Sequence, residues 1–456
     1  MRTMNKRMIM LMAAALALLS ASGQVTFSGV GEHKVIEVTP DMNTGLNKIY
    51  VVYDTQGVSM SYPSTNGKRA EWYSFDYKGI NIDEIPGVRW DGRSTTLSQV
   101  IPNKGYKIEE TGGRPFYCWV VNYADYMMSL NDIFWDNDKP CSLLTLKVDG
   151  IAPAIPYASV NFRPMVLDRE LELSYYTKVR DDSTDWQLKK VIDYYESLNS
   201  TIQINQPLCD TKFTLRGDRF LKEWGLEEVV ESRDYVTHAV SCGATADQED
   251  RGYDNEKGNK DGLGGSAPVH ILFTGYYTDA VVYRVWEIAT DPDFENIIMS
   301  FPYQDELDYT FNDAGAYYVR YRVANDDGSC EDLSEIGPIT VSESELQCPN
   351  IFSPGSTEGV NDVWKVSYKS LIEFHCWIYN RWGNLVCEFT DPGSGWDGTY
   401  HGQLVDTGVY YYVVTATGSD GVKYKKRGDI TILRYTRGAG AAGGDGGGGM
   451  GGGSEY

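Results

Sequence analysis

His375-Cys376-Trp377-Ile378-Tyr379-Asn380-Arg381-Trp382-Gly383-Asn384-Leu385-Val386-Cys387-Glu388-Phe389, or HCWIYNRWGNLVCEF, is close to a mirror image about Arg381-Trp382. Folded at that point, Ile378 meets Leu385, Cys376 meets Cys387 and Phe374 meets Phe389. Side chains alternate between the two faces of a strand, so a tight turn over residues 380–383 gives a hairpin with one apolar face. Phe374, Cys376, Ile378, Leu385, Cys387 and Phe389 lie on that face, with Trp377 and Val386 on the other. Opposed cysteines in a non-hydrogen-bonded pair are close enough to bridge, which makes Cys376 and Cys387 a structural staple. Redox chemistry between aromatic neighbours is the rival reading.

The same grammar runs through the chain. Lys48 to Tyr53, Phe116 to Val121, Leu143 to Val148, Glu170 to Tyr176, Val281 to Trp286 and Ala316 to Val323 are rich in β-branched and aromatic residues. Asn-Gly, Gly-Asp and Asp-Gly pairs punctuate them. Trp186 to Leu198 fits a helix or a long strand, and its surroundings favour the strand. The fold class is all-β: tandem immunoglobulin-like β-sandwich domains ending in a further β-sandwich. The expected organisation is a β domain over 24–152, a β-sandwich over 153–246, an Ig-like sandwich over 268–344 and a last sandwich over 346–436. Residues 247–267, QEDRGYDNEKGNKDGLGGSAP, read as a flexible linker. The glycine-rich 437–456 reads as a disordered tail.

The opening MRTMNKRMIMLMAAALALLSASGQ has a basic start, an apolar run of about a dozen residues and small residues at a cleavage point. It is read as a signal peptide, residues 1–23. The run is too short for a typical membrane span, and no later stretch is long and apolar enough. Export lets disulfides persist, and the eight cysteines fall in sequential pairs: Cys118/Cys141, Cys209/Cys242, Cys330/Cys348 and Cys376/Cys387. Buried reduced thiols are the alternative. With 41 Lys and Arg against 64 Asp and Glu, the net charge is −23. That balance argues against nucleic-acid binding and reads as a solvated acidic surface.

Motifs for catalysis are sparse. The five histidines are scattered, no HExxH, GxSxG, Walker loop or dinucleotide fingerprint occurs, and the cysteines lack CxxC spacing. No catalytic residue, cofactor-binding residue or metal ligand is assigned, and no cofactor is expected. The Asp-rich turns Asp291-Pro292-Asp293 and Asn325-Asp326-Asp327-Gly328 have oxygen ligands for a structural calcium, but ordinary Asx-type turns account for them better.

The last sandwich carries an ordered set of motifs. These are Pro349-Asn350-Ile351-Phe352-Ser353-Pro354, Gly359-Val360-Asn361-Asp362-Val363-Trp364 and Ile378-Tyr379-Asn380-Arg381-Trp382-Gly383. They continue through Gly395-Trp396-Asp397-Gly398 and Gly408-Val409-Tyr410-Tyr411-Tyr412 to Gly428-Asp429-Ile430-Thr431-Ile432-Leu433-Arg434. In that order they resemble the gliding-motility-associated C-terminal domain, the type B sorting domain of the Bacteroidetes type IX secretion system. The resemblance covers about 90 residues. It implies an address that takes cargo from the periplasm through the outer membrane to the cell surface or medium, with the type IX machinery as partner. It makes Asn350, Phe352, Pro354, Gly359, Asn361, Asp362, Asn380, Arg381, Trp382, Gly383, Trp396, Asp397, Gly398, Gly408, Tyr410 and Gly428 the motif residues. The chain departs from the family at Pro354-Gly355-Ser356-Thr357-Glu358-Gly359, where a Pro-Asn-Gly-Asp-Gly is usual. This loop is one residue longer and lacks the aspartate.

The expected function is a non-enzymatic surface or secreted protein whose front modules bind a glycan or protein ligand. The alternative is a secreted hydrolase of polysaccharide or peptide, with its active site in residues 24–152.

Overall fold

The computed structural model describes residues 25–76, 82–136, 139–180, 185–258, 262–356, 359 and 361–434. The signal segment 1–23 and the tail 437–456 lie outside the described residues. Nearly all regular structure is β, as the alternation predicts. No helix among the described residues is long and apolar enough to cross a membrane. The chain divides into two compact units, with the break after Ala239.

The first unit opens with a sandwich. A four-stranded sheet (Thr26–Ser28, Ser59–Pro63, Ser94–Leu97, Arg89–Trp90) faces a six-stranded one (Ile36–Val38, Lys48–Val52, Phe116–Asn122, Lys104–Glu110, Ala70–Phe75, Asp83–Glu84). Tyr50, Val52, Cys118 and Val120 of the larger sheet fill the core between them with Met60 and Tyr62. Ile49, Val51, Trp119 and Val121 point the other way and are buried too, in the core of the next module. A strand buried on both faces reads as a continuous apolar run, which is why Phe116 to Val121 shows so little alternation.

That second core corrects the expected boundary at residue 152. Leu143–Ile151 pairs with Ser129–Trp135 and with Thr201–Asn205, so both strands before the boundary belong to the second module. Trp186–Tyr195 is a strand, paired along its whole length with Leu171–Arg180.

One feature of this unit carries no sequence signature. Arg169 and Asp218 form a fully buried ion pair. Arg169 also donates to the Pro153 carbonyl, at 2.7 Å from Nη2, and the Tyr123 hydroxyl donates to Asp218 Oδ2 at 3.0 Å. Asp218 Oδ1 accepts from the Phe220 and Leu221 amides, capping the helix Arg219–Trp224. Buried charges persist only when paired and hydrogen-bonded like this.

The second unit holds two sandwiches. In the first, a three-stranded sheet (Cys242–Gln248, Val269–Tyr277, Glu306–Phe311) covers a five-stranded one (Gly264–Gly265, Glu331–Val341, Gly315–Ala324, Tyr283–Ala289, Ile297–Pro302). The expected linker 247–267 is only partly a connector. Its start belongs to the strand Cys242–Gln248, Gly264–Gly265 is an edge strand, and residues 253–257 lie on the C-terminal module. Residues 259–261 are outside the described set.

The sequential disulfide scheme is corrected in three of its four pairs. Cys141 and Cys330 each take part in a disulfide, but Cys118 and Cys348 are thiols, so neither is joined to its expected partner. Cys118 sits in the doubly buried strand, where burial pushes its thiol well above the usual range. Cys376 and Cys387 are thiols as well.

Candidate recognition surface of the C-terminal module

The C-terminal module is built on a five-stranded sheet ordered Ile351–Phe352, Lys423–Ile432, Gly408–Gly418, Leu371–Tyr379, Leu385–Phe389. The first pairing is parallel and the others antiparallel. Trp364 and Trp396 lie in the core and exchange backbone hydrogen bonds of 2.8 and 2.9 Å. Their indole N–H groups donate to the carbonyls of Pro349 and Thr399 at 2.7 and 2.9 Å. A buried Trp that also satisfies its polar edge can fix an irregular layer of chain against a sheet.

The hairpin forms where the mirror pattern puts it, but in another register. Cys376 is opposite Phe389 and Ile378 opposite Cys387, two residues away from the expected pairing. The turn is a five-residue loop centred on Trp382, closed by Asn380 N to Asn384 O at 2.9 Å, and Val386 bulges out of the ladder. Each feature moves the pairing by one residue. Cys376 and Cys387 are therefore diagonal rather than opposed, and Leu385 is exposed instead of facing the core. Burial raises the thiol pKa of both, most strongly for Cys376. A raised pKa removes the thiolate that redox chemistry needs.

The motif residues divide into those that build and those that are shown. Asn380 Oδ1 accepts from the Trp382 and Asn384 amides, both at 3.0 Å, and Gly383 takes a positive φ of 83°. Asn and Gly thus shape the loop. The side chains of Arg381 and Trp382 take no part in that scaffold. Trp382 is 70% exposed, with the Arg381 guanidinium 4.2 Å from its ring centre. On the outward face of the same hairpin, His375 Nε2 lies 2.6 Å from Glu388 Oε1, which also accepts from Trp377 Nε1 at 3.0 Å.

The remaining motif residues gather near the loop. The Asn350 carbonyl accepts from Thr431 N, and that of Phe352 from Leu433 N, fixing the parallel edge. Phe352 and Tyr410 both pack on Trp396, with ring centres 5.4 and 5.2 Å away. Pro354 lies against Gly398, where a Cβ would come within 2.8 Å of its ring. Asp362 ties this longer loop together. Its carboxylate accepts from Gly355 N at 3.0 Å and Gly359 N at 2.7 Å, while the Asn361 carbonyl accepts from Ser353 N. Asp397 caps the next turn through Thr399. Tyr410 donates its hydroxyl to the Asp406 carbonyl at 3.1 Å across Gly408. Gly428 leaves room for the Tyr412 ring.

The register shows why these residues belong together. Tyr379, just before the exposed loop, is opposite Tyr411; Gly408 is opposite Ile432, and Ile432 is beside Phe352. Residues scattered from Asn350 to Tyr410 therefore meet at one end of the sandwich. Arg381 is close enough to Tyr410 to oppose the rise that burial imposes on the phenol pKa.

Elsewhere, the calcium-like turns use their oxygens internally. Both carboxylate oxygens of Asp291 accept backbone amides, from Asp293, Glu295 and Asn296. These bonds hold its pKa below the ordinary aspartate value. A cavity on the N-terminal sandwich is lined by Val25, Thr26, Phe27, Val30, Val35, Glu37 and Tyr50.

Residues 346–432 match the CHU_C type IX secretion signal domain, and residues 133–232 match a fibronectin type III domain. No curated protein matches the chain. Among solved structures, a tetra-tandem repeat from the extending region of a large adhesion protein is similar, at 12% identity and a TM-score of 0.24, over 84% of this chain and 97% of that one. Chicken CNTN1 FN1-FN3 domains are similar at 8% identity and a TM-score of 0.17, over 68% of this chain and 98% of that one. The C-terminal module thus matches a type IX secretion signal domain, and the all-β modules before it include one that matches a fibronectin type III domain.

Proposed function

We propose that this chain is a non-enzymatic surface or secreted protein, delivered by the type IX route and carrying β-sandwich modules that bind a ligand outside the cell. The observation that carries the reading is the signal-domain match over residues 346–432. Its motif residues meet at one end of the sandwich and hold Arg381 and Trp382 outward. The machinery reads this end, with the Asn-Gly scaffold holding the loop in shape. Removing residues 346–456 is expected to leave the remainder in the periplasm. Unchanged surface exposure of that truncation, measured by protease shaving and fractionation, overturns the reading.

The binding role of the front rests on the outer face of the fibronectin-type module. Tyr176, Leu188, Ile192 and Tyr194 share one face of the paired strands Leu171–Arg180 and Trp186–Tyr195, and all are exposed. A glycan or an envelope protein is the expected ligand. Tyr194→Ala together with Tyr176→Ala should lower binding of the mature chain to whole cells or extracted glycans. Unchanged binding removes this face from the proposal.

A further inference from the structure

Residues 251–257 cross onto the C-terminal module as an extra strand. Tyr368 N donates to the Asn255 carbonyl at 3.1 Å, and Lys257 N donates to the Tyr368 carbonyl at 2.7 Å, giving a parallel bridge centred on Glu256 and Tyr368. The strand Ser367–Lys369 already pairs on its other side with Glu345–Gln347. The upstream segment thus turns a two-stranded ribbon into three. Asn255 Nδ2 donates to the carbonyls of Val366 and Pro392, both at 2.8 Å. The Tyr253 ring lies so close over Gly393 that a Cβ there would be 2.6 Å from it, and its hydroxyl is 3.3 Å from Asp391. Lys365 pairs with Asp254 at 2.7 Å and Lys257 with Glu345 at 2.9 Å. At the root of the strap, Ser370 N donates to Ser266 Oγ and Ala267 N to Ser370 Oγ.

We infer that the folded export signal begins at this strap, near residue 251, and not at residue 346 where the family match begins. The inference rests on the reading of the C-terminal module as a secretion signal. An open strand edge recruits whatever strand it meets. Here the edge at Tyr368 is filled by a segment of the same chain whose contacts are specific. Tyr253 needs the glycine at 393, and Asn255 needs two carbonyls from separate loops. The strap also keeps to its own side of the module. It uses residues 345 and 365–370 and the 391–393 turn, and leaves the loop at Arg381 and Trp382 exposed. The third sandwich meets the module at the far end of the sheet, where Ala314 N donates to the Ser419 carbonyl and Ser419 Oγ to that of Ser342. The strap therefore holds the signal docked on the preceding sandwich with its motif end outward, and the two modules are exported as one body.

The test compares four full-length precursors in a host with the type IX machinery. These are the wild type, a chain lacking residues 346–432, a chain with residues 251–257 replaced by a Gly-Ser stretch of equal length, and Gly393→Val, which displaces Tyr253 alone. A protease site placed between Ser342 and Glu345 of the wild type and the two strap variants gives a second readout after purification. The expected result is that the deletion stays in the periplasm and both strap variants reach the surface about tenfold less than wild type, a loss of about 1.4 kcal/mol in the exported form. After cleavage, residues 346–456 stay bound to the wild-type remainder and separate from the Gly-Ser variant. If the deletion is retained while both strap variants export like wild type, or if the cleaved wild-type fragments separate at once, the strap inference is overturned. Export of the deletion overturns the reading of the signal domain itself.

Discussion

The third sandwich and the C-terminal module lay out the same sheet. In each, a two-residue edge strand runs parallel to the last strand, followed by the penultimate strand and a hairpin. Both turn the corner into the penultimate strand with Asp-x-Gly-x-Tyr. Tyr317 donates to the Asp313 carbonyl at 3.0 Å, and Tyr410 to that of Asp406 at 3.1 Å. Gly315 and Gly408 occupy the bend at φ values of 159° and 144°. What differs is the hairpin loop. Residues 290–296 fold their aromatic inward, so Phe294 is buried with the Arg320 guanidinium 4.3 Å from its ring. Residues 380–384 turn theirs outward, so Trp382 is 70% exposed beneath Arg381. The shared sheet therefore does not set the two modules apart. The two hairpin loops differ in which way each sends its aromatic residue.

Exchanging the two loops' roles by mutation gives the largest effects. Trp382→Ala with Arg381→Ala should cut surface delivery by about tenfold or more, since truncating an exposed anchor of this type costs ~2 kcal/mol of binding. The melting temperature of the purified chain should barely move. Phe294→Ala should do the reverse, costing about 3 kcal/mol of stability with delivery unchanged among molecules that fold. Thermal unfolding and cell fractionation of the same variants check both. Equal effects of the two variants on delivery would end the comparison.

The cores sharpen it at smaller scale. The indoles of Trp364 and Trp396 donate to carbonyls, whereas the buried Trp286 Nε1 has no protein partner. Trp→Phe should therefore cost about 1–2 kcal/mol at 364 or 396, and less at 286. The matched corner variants Tyr317→Phe and Tyr410→Phe should cost about 1 kcal/mol each by denaturant unfolding. A large inequality between them would show that the shared corner does not do the same work in both modules.

Much of this was legible in the sequence because β structure writes itself as alternation. The turn residues Asn380 and Gly383 and the long strand Trp186–Tyr195 are where the pattern placed them, but of Trp364, Trp382 and Trp396, which the pattern offers to the core together, only Trp364 and Trp396 are buried and Trp382 is exposed. The sequence did not reveal who pairs with whom. Leu143 to Val148 reads as a strand, but its partner Thr201–Asn205 lies far along the chain, so the module boundary was misplaced. The mirror symmetry of the 375–389 stretch set the faces of Phe374, Cys376 and Ile378 correctly and the register wrongly, because loop length and a bulge are not written in apolar alternation. The strap was hidden for a related reason. Its hold on the C-terminal module comes from backbone, one asparagine, one tyrosine and two ion pairs, inside a composition that suits a linker. The Arg169 and Asp218 pair is separated widely in sequence and announces itself only by burial.

The two modules also complete their second layers differently, and pH gives the smallest and most selective probe of that. In the C-terminal module a short ribbon takes the strap as its third strand. In the third module a full three-stranded sheet is braced on its outer face by His270, with Nδ1 3.0 Å from Glu249 and Nε2 hydrogen-bonded to Asp308 on the strand beyond. The bond to Asp308 is the main cause of a histidine pKa above its ordinary value, and Glu249 adds to it. A raised pKa means the folded state holds the proton more tightly than the unfolded chain. The brace therefore contributes in full below about pH 6.5 and fades as pH rises through the folded value. His270 is largely solvated, so the effect is small and salt-sensitive. His270→Gln should match the wild type in stability at pH 8.5 and fall below it at pH 5.5, with the gap narrowing in high salt. A gap of the same size at both pH values would show that His270 acts by packing and not by charge.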